Sequence, residues 1–143
     1  MVSMWLTMHD FNVSRSGDSE ADRLVEGIRT EIKFSTLWEN GDYCFQQIRD
    51  QNYNILILLG ISPHSAHCWV LEKRDIIDLW KKRHVIGGQH TGQLGTETAW
   101  IHVRPDVESF LTPFGGELEV AIERMADLTG FQPKPLSDAL DES

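Results

Sequence analysis

At 143 residues the chain is long enough for one hydrophobic core and too short for two domains. It carries 22 acidic against 13 basic residues, a formal net charge of −9. That balance excludes a broadly basic surface, so any contact with DNA must come from a minority of basic residues gathered on one side. No stretch nears the roughly twenty consecutive apolar residues of a membrane-crossing helix.

Met1 to Phe11 is apolar enough for a short strand or a helical turn that packs Trp5 against a sheet, and periodicity does not choose between them. The same segment lacks the basic and long apolar regions of a secretory leader, so the expectation is a cytoplasmic protein with no membrane partner. In such a reducing compartment Cys44 and Cys68 are expected as buried thiols. Asn12 to Glu20, rich in Ser, Gly and charge, reads as a loop.

The run from Ala21 to Trp38, ADRLVEGIRTEIKFSTLW, reads as two strands joined at Glu26-Gly27, a two-residue loop that favours positive φ and therefore glycine. With that turn Val25 pairs with Ile28, and Asp22 falls opposite Glu31. Opposed residues of an antiparallel pair have Cβ atoms about 4.5–5.5 Å apart, so two carboxylates would meet on one sheet face. Alternation puts Lys33 and Ser35 on that face and sends Val25, Ile28, Ile32 and Phe34 to the other, core-facing one. Facing carboxylates repel, and a hard divalent cation such as Mg²⁺, which takes oxygen ligands, is the usual reason for tolerating them. The cation would acidify a bound water and neutralise charge developing on a phosphate, while the Lys33 ammonium would orient that water or hold a non-bridging oxygen. Ser35 is a candidate phosphate contact.

The order of Asp22 followed by Glu31-Ile32-Lys33 on the next strand resembles the PD-(D/E)xK nuclease superfamily, which includes many restriction endonucleases. The resemblance runs from Ala21 to Lys73 and departs from the family pattern in having Ala21, not proline, before the aspartate. It implies a restriction-endonuclease-like α/β (α+β) fold, a mixed central β-sheet flanked by helices, and a Mg²⁺-dependent endodeoxyribonuclease for which Mn²⁺ substitutes. It also implies that Asp22, Glu31 and the Ile32 carbonyl hold the metal, that Lys33 assists the attacking water, and that cleavage leaves a 5′-phosphate and a 3′-hydroxyl. A glutamine on the element after Glu-x-Lys often reaches toward the site or the DNA in this family; here that is Gln46 or Gln47, with Gln47 the catalytic candidate. The family usually opens with a helix that backs the site and often adds an acid, and the N-terminal segment leaves it little room.

Further along, Thr36 to Asp42 is expected as a loop beside the site, where Trp38 could stack on a base or sugar. Tyr43 to Tyr53 reads as a short strand followed by a helical turn, with Arg49 exposed. Asn54 to Ser62 reads as a strand buried on both faces, because its apolar residues run without alternation. Pro63-His64-Ser65 then turns the chain, and Ala66 to Leu71 returns antiparallel to it. His64, His67 and Cys68 match no common zinc spacing. Lys73 to Val85 reads as a helix with Asp75 as N-cap, an apolar stripe of Ile76, Ile77, Leu79 and Trp80, and Lys81, Lys82, Arg83 and His84 in its last turn. That basic cluster, the strongest in the sequence, makes Lys81, Lys82 and Arg83 candidate DNA-phosphate contacts.

The glycine-rich GGQHTGQLGTET lacks the lysine and spacing of a phosphate-binding loop. It reads as a surface loop in which Gln89 and His90 offer donors and acceptors to base edges. Thr98 to Arg104 alternates as a half-buried strand, Pro105 to Gly116 is irregular, and Glu117 to Thr129 is an amphipathic helix ended by Gly130. One nuclease-like domain over residues 1–130 and an acidic tail over 131–143, expected to be disordered, complete the organisation. The function expected is a metal-dependent, restriction-endonuclease-like DNA endonuclease that hydrolyses phosphodiester bonds. Cutting both strands would take two sites and so a homodimer. The alternatives are a non-catalytic nucleic-acid- or protein-binding module on the same fold, and a repair or junction-resolving nuclease.

Overall fold

In the computed structural model, which describes residues 2–17, 21–89 and 98–131, Val2–Met8 forms a short helix, α1, so the helical option at the N-terminus is the one realised. Val13–Arg15, inside the segment expected as a loop, is a strand, β1, and it pairs antiparallel with β2, Arg23–Val25. The turn residues Glu26 and Gly27 have φ of 51° and 77°, both in the left-handed region that a tight hairpin requires. They return the chain into β3, Ile28–Thr36, with Val25 opposite Ile28 and Arg23 opposite Thr30.

The next strand in sequence, β4 (Tyr43–Ile48), does not join this sheet. β3 pairs in parallel with β5, Ile55–Ile61, and a parallel pair needs a crossover. The segment holding β4 supplies it, and no helical turn follows β4 as had been expected. β6, Ala66–Glu72, returns antiparallel to β5, and the two-residue β9, Gly115–Gly116, closes the edge, giving a mixed six-stranded sheet in the order β1-β2-β3-β5-β6-β9. A second sheet holds β4, β8 (Thr98–Val103) and β7 (Gly87–Gln89) in the order β4-β8-β7. Gly87–Gln89 is therefore a paired strand and not part of a loop.

β5 is buried on both faces, as its unbroken apolar run requires. Ile55, Ile57 and Leu59 pack with Val25, Cys68 and Val70 against Leu6 of α1 and against α3, Leu118–Thr129, through Ala121, Ile122 and Met125. Gly130, with φ of 72°, ends α3 in a left-handed cap. On the other face Leu56, Leu58, Trp69 and Leu71 pack against Tyr43, Phe45 and Ile48 of β4 and against Ala99, Ile101 and Val103 of β8. The architecture is thus a mixed α/β one, with helices α1 and α3 on one face of the mixed sheet and a second sheet on the other. Cys44 and Cys68 are buried and free. No helix among the described residues is long and apolar enough to cross a membrane.

Two expectations about local structure are corrected. The helix read over Lys73 to Val85 is α-helical only over Lys73–Ile77 (α2) and then widens into a π-helical turn at Asp78–Lys82, where the Arg83 N–H bonds back to the Asp78 carbonyl. Its N-cap is Glu72; Asp75 sits three residues on and accepts the Glu72 N–H at 2.9 Å. The wider turn buries both Leu79 and Trp80, two neighbours that a narrow apolar stripe would not both carry inward. Phe34, expected in the core, is 52 % exposed and does not join the cluster in which Ile28 and Ile32 pack.

Gly60 marks the tightest approach between the layers: a Cβ there would stand 2.6 Å from the ring of the fully buried Tyr43. Gly60→Ala is expected to destabilise the chain by about 2–3 kcal/mol through overpacking, read as a lower urea midpoint. An unchanged midpoint would show that Tyr43 gives way freely.

Candidate active site

Asp22 enters the site immediately before β2. Its N–H donates to the Thr30 carbonyl at 3.0 Å, and its Oδ2 accepts the Ile32 N–H at 2.8 Å. These two bonds fix the carboxylate against β3, one step beyond the Arg23–Thr30 pair, which sets Asp22 beside Glu31 as the hairpin register predicted. The two carboxyl groups are near enough for Asp22 to act on the protonation of Glu31. Burial chiefly, and then the hydrogen bond and charge of Asp22, push the Glu31 carboxyl up from 4.5 to about 7, against the lowering pull of Lys33 and Arg49. Near neutral pH Glu31 is therefore protonated in a large share of molecules. Lys33 Nζ stands 3.8 Å from Glu31 Oε1.

The Ile32 carbonyl faces the same edge of β3 as the Ile32 N–H that reaches Asp22, because both polar groups of one strand residue point to one side. Since β2 pairs only with Ile28 to Thr30, that edge carries no ladder partner from β2 at Ile32. Asp22, Glu31, the Ile32 main chain and Lys33 thus come together within one hairpin. The set is all oxygen apart from the amine, which suits a hard cation; a divalent ion would compete with the proton that Glu31 takes up. Among the described residues no group of three or more His, Cys, Asp or Glu side chains is placed to hold a metal, so two side-chain carboxylates are what this site offers.

β4 lies across the site side of β3. Ser35, proposed from the sequence as a phosphate contact, is buried, and its hydroxyl is engaged twice: it accepts the Cys44 N–H at 2.9 Å and donates to the Thr36 carbonyl at 2.7 Å. It pins β4 to β3 and is not available to a phosphate. Gln46 and Gln47 are both exposed, and Gln47 sits at φ 56°. Phe45 pairs with Ile101 and Ile48 with Ala99, so two glutamines oppose the single Trp100 in a β-bulge.

Sequence reading missed the residues just after the bulge as parts of the site. Arg49, exposed as predicted, is close enough to Glu31 for its charge to act there. The Tyr53 hydroxyl donates to the Arg49 carbonyl at 2.7 Å, and burial together with the Glu31 and Asp50 charges pushes its phenol up. Asp50 accepts Lys73 at 3.0 Å and Lys81 at 2.7 Å, and the hydrogen bonds from Lys81 and Lys73 hold its carboxyl below the usual range. The basic cluster is thereby tied to the segment that borders the carboxyl pair. Of that cluster, Lys81 serves Asp50, Arg83 lies 3.5 Å from Asp78, and Lys82 is exposed. A signal for Arg49 was present in the FQQI spacing, because two apolar residues three apart on a strand require a bulge to share a face, and the bulge sets the phase of the residues beyond it.

His67 and Cys68 point to opposite faces of β6: His67 stacks on Trp69 while Cys68 is buried beneath α3. They form no common centre. The side chain of Gln89 and the whole of His90 lie outside the described residues. A scan of protein-family models finds no match to this chain, and a search of curated proteins finds none either.

Proposed function

We propose that the chain is a metal-dependent endodeoxyribonuclease with a restriction-endonuclease-like fold of the PD-(D/E)xK type. The observation that carries this reading is the placement of Asp22 beside a half-buried Glu31 whose ionisation it opposes, with the Lys33 amine 3.8 Å away. Asp22, Glu31 and the Ile32 carbonyl would hold Mg²⁺, or Mn²⁺ in its place; when bound, the ion supplies charge neutralisation at phosphorus and acidifies water. Lys33 orients the attacking water or holds a non-bridging oxygen of the scissile group. The water oxygen forms a bond to phosphorus in line with the 3′-oxygen, whose bond breaks; the 3′-oxygen takes up a proton, leaving a 3′-hydroxyl and a 5′-phosphate. Arg49 adds a second positive charge on the same side, which favours the approach of a phosphodiester to a chain of net charge −9. Two copies would cut two strands.

The test is incubation of plasmid and phage DNA with the purified chain, with and without Mg²⁺ or Mn²⁺. Metal-dependent nicking or linearisation with 5′-phosphate ends is expected, and intact DNA under every condition would end the enzyme reading. One observation favours a second reading, a non-catalytic nucleic-acid-binding module: α1 is seven residues long and contributes no acid. That module would bind DNA without cutting it.

A further inference from the structure

Along β3 from Lys33 a groove of about 320 Å³ opens between Phe34, Thr36 and Trp38 on one side and Gln46 and Gln47 on the other. Its volume lies at the low end of ligand pockets, about 300–1,000 Å³, which suits a single ring system. Three features set it apart from ordinary surface. Phe34 and Trp38 stand 52 % and 41 % exposed, two large apolar side chains left in water at one place, and the Trp38 ring is held edge-on to His102 at 6.0 Å. Gln46 and Gln47 both project outward only because of the bulge, at whose centre Gln47 holds a left-handed conformation that a non-glycine residue adopts at some energetic expense. Every residue lining the groove is uncharged, in a chain with 22 acidic residues.

Aromatic faces stack on bases of any identity, and amides carry both the donor and the acceptor that base edges require. The groove begins at Phe34, the neighbour of Lys33 on the strand, and includes Ser35, about 7 Å along it from Lys33. We propose that it receives one unpaired nucleobase of the nucleic-acid strand whose phosphate lies at Lys33, stacked on Trp38 and Phe34 and met at its edge by Gln46 and Gln47. The nature of the ligand rests on the nuclease reading. The consequence is a preference for DNA with a locally opened or single-stranded segment over uninterrupted duplex.

Fluorescence anisotropy without divalent cation tests this, using a labelled oligothymidylate and an abasic strand of equal length and charge. The parent is expected to bind the base-bearing strand about tenfold more tightly. Trp38→Ala and, separately, Phe34→Ala should bring the two affinities within about twofold of each other. Lys33→Ala should weaken both alike and keep their ratio. Equal affinity of the parent for the two strands, or no binding to either, overturns the proposal, as does a full preference surviving in a folded Trp38→Ala or Phe34→Ala chain. Metal-dependent cleavage measured in parallel separates the two ideas: cutting with no base preference sinks only the groove, and base preference with no cutting sinks only the hydrolysis.

Discussion

Replacing Glu31 by alanine is expected to slow Mg²⁺-dependent DNA cleavage about 10³-fold or more while leaving the circular dichroism spectrum unchanged. Asp22→Ala should lose a similar factor and, because its Oδ2 holds the Ile32 N–H, about 1 kcal/mol of stability as well. Asp22→Asn separates these effects, since the amide oxygen still accepts the N–H while the negative charge is gone. Lys33→Ala removes an amine whose nearest carboxylate oxygen is 3.8 Å away, a loose pairing, so its loss should fall on activity and leave folding intact. If the three alanine variants cut DNA at the parent rate, the carboxyl pair has no part in hydrolysis.

The second large effect concerns stability, and its sign is set by the proton on Glu31. Its carboxyl titrates near 7 in the folded chain against 4.5 ordinarily, so between those values the folded chain holds more protons than the unfolded one. The contribution is fully present below pH 4.5 and is lost as pH rises through 7, roughly 3 kcal/mol in all. Glu31→Gln mimics the protonated acid and should therefore be the more stable chain at pH 8, by roughly 5–10 °C in Tm, with the difference fading by pH 4. Millimolar Mg²⁺ should restore the parent at pH 8 and do little for the glutamine variant. A parent whose Tm at pH 8 equals that of Glu31→Gln would mean that folding does not raise the Glu31 carboxyl.

The hairpin was legible because its determinants are local. A Glu-Gly turn, two flanking alternations and period-two register suffice to set Asp22 against Glu31, and all of them lie within Ala21 to Ser35. β5 and α3 were legible for the same reason, each being set by an apolar pattern of its own. What escaped depended on distant partners. β1 is three residues long with exposed positions and exists because β2 lies beside it. Gly87–Gln89 looks like a loop in isolation and becomes a strand through pairing with Thr98 to Trp100. Phe34 carries an apolar side chain on the face of its strand that buries Ile32, yet which positions of that face are covered depends on elements distant in sequence. Ser35 has the right face and residue type for a phosphate contact; only the placement of β4 overhead shows that its hydroxyl is occupied. Arg49 joined the site through the bulge at Gln46-Gln47, whose phase shift is invisible to a strict two-residue period.

Asp50 occupies two of the ammonium groups that would otherwise meet a polyanion, those of Lys73 and Lys81. Cations already compensated within the protein displace few counterions from a nucleic acid. Affinity should accordingly decline gently as salt is added, with a log–log slope nearer about −2 than the steep values of proteins that grip many phosphates. Asp50→Asn would release Lys81, with Lys73 still held by the Gln51 carbonyl and the Tyr53 ring, and should steepen that slope.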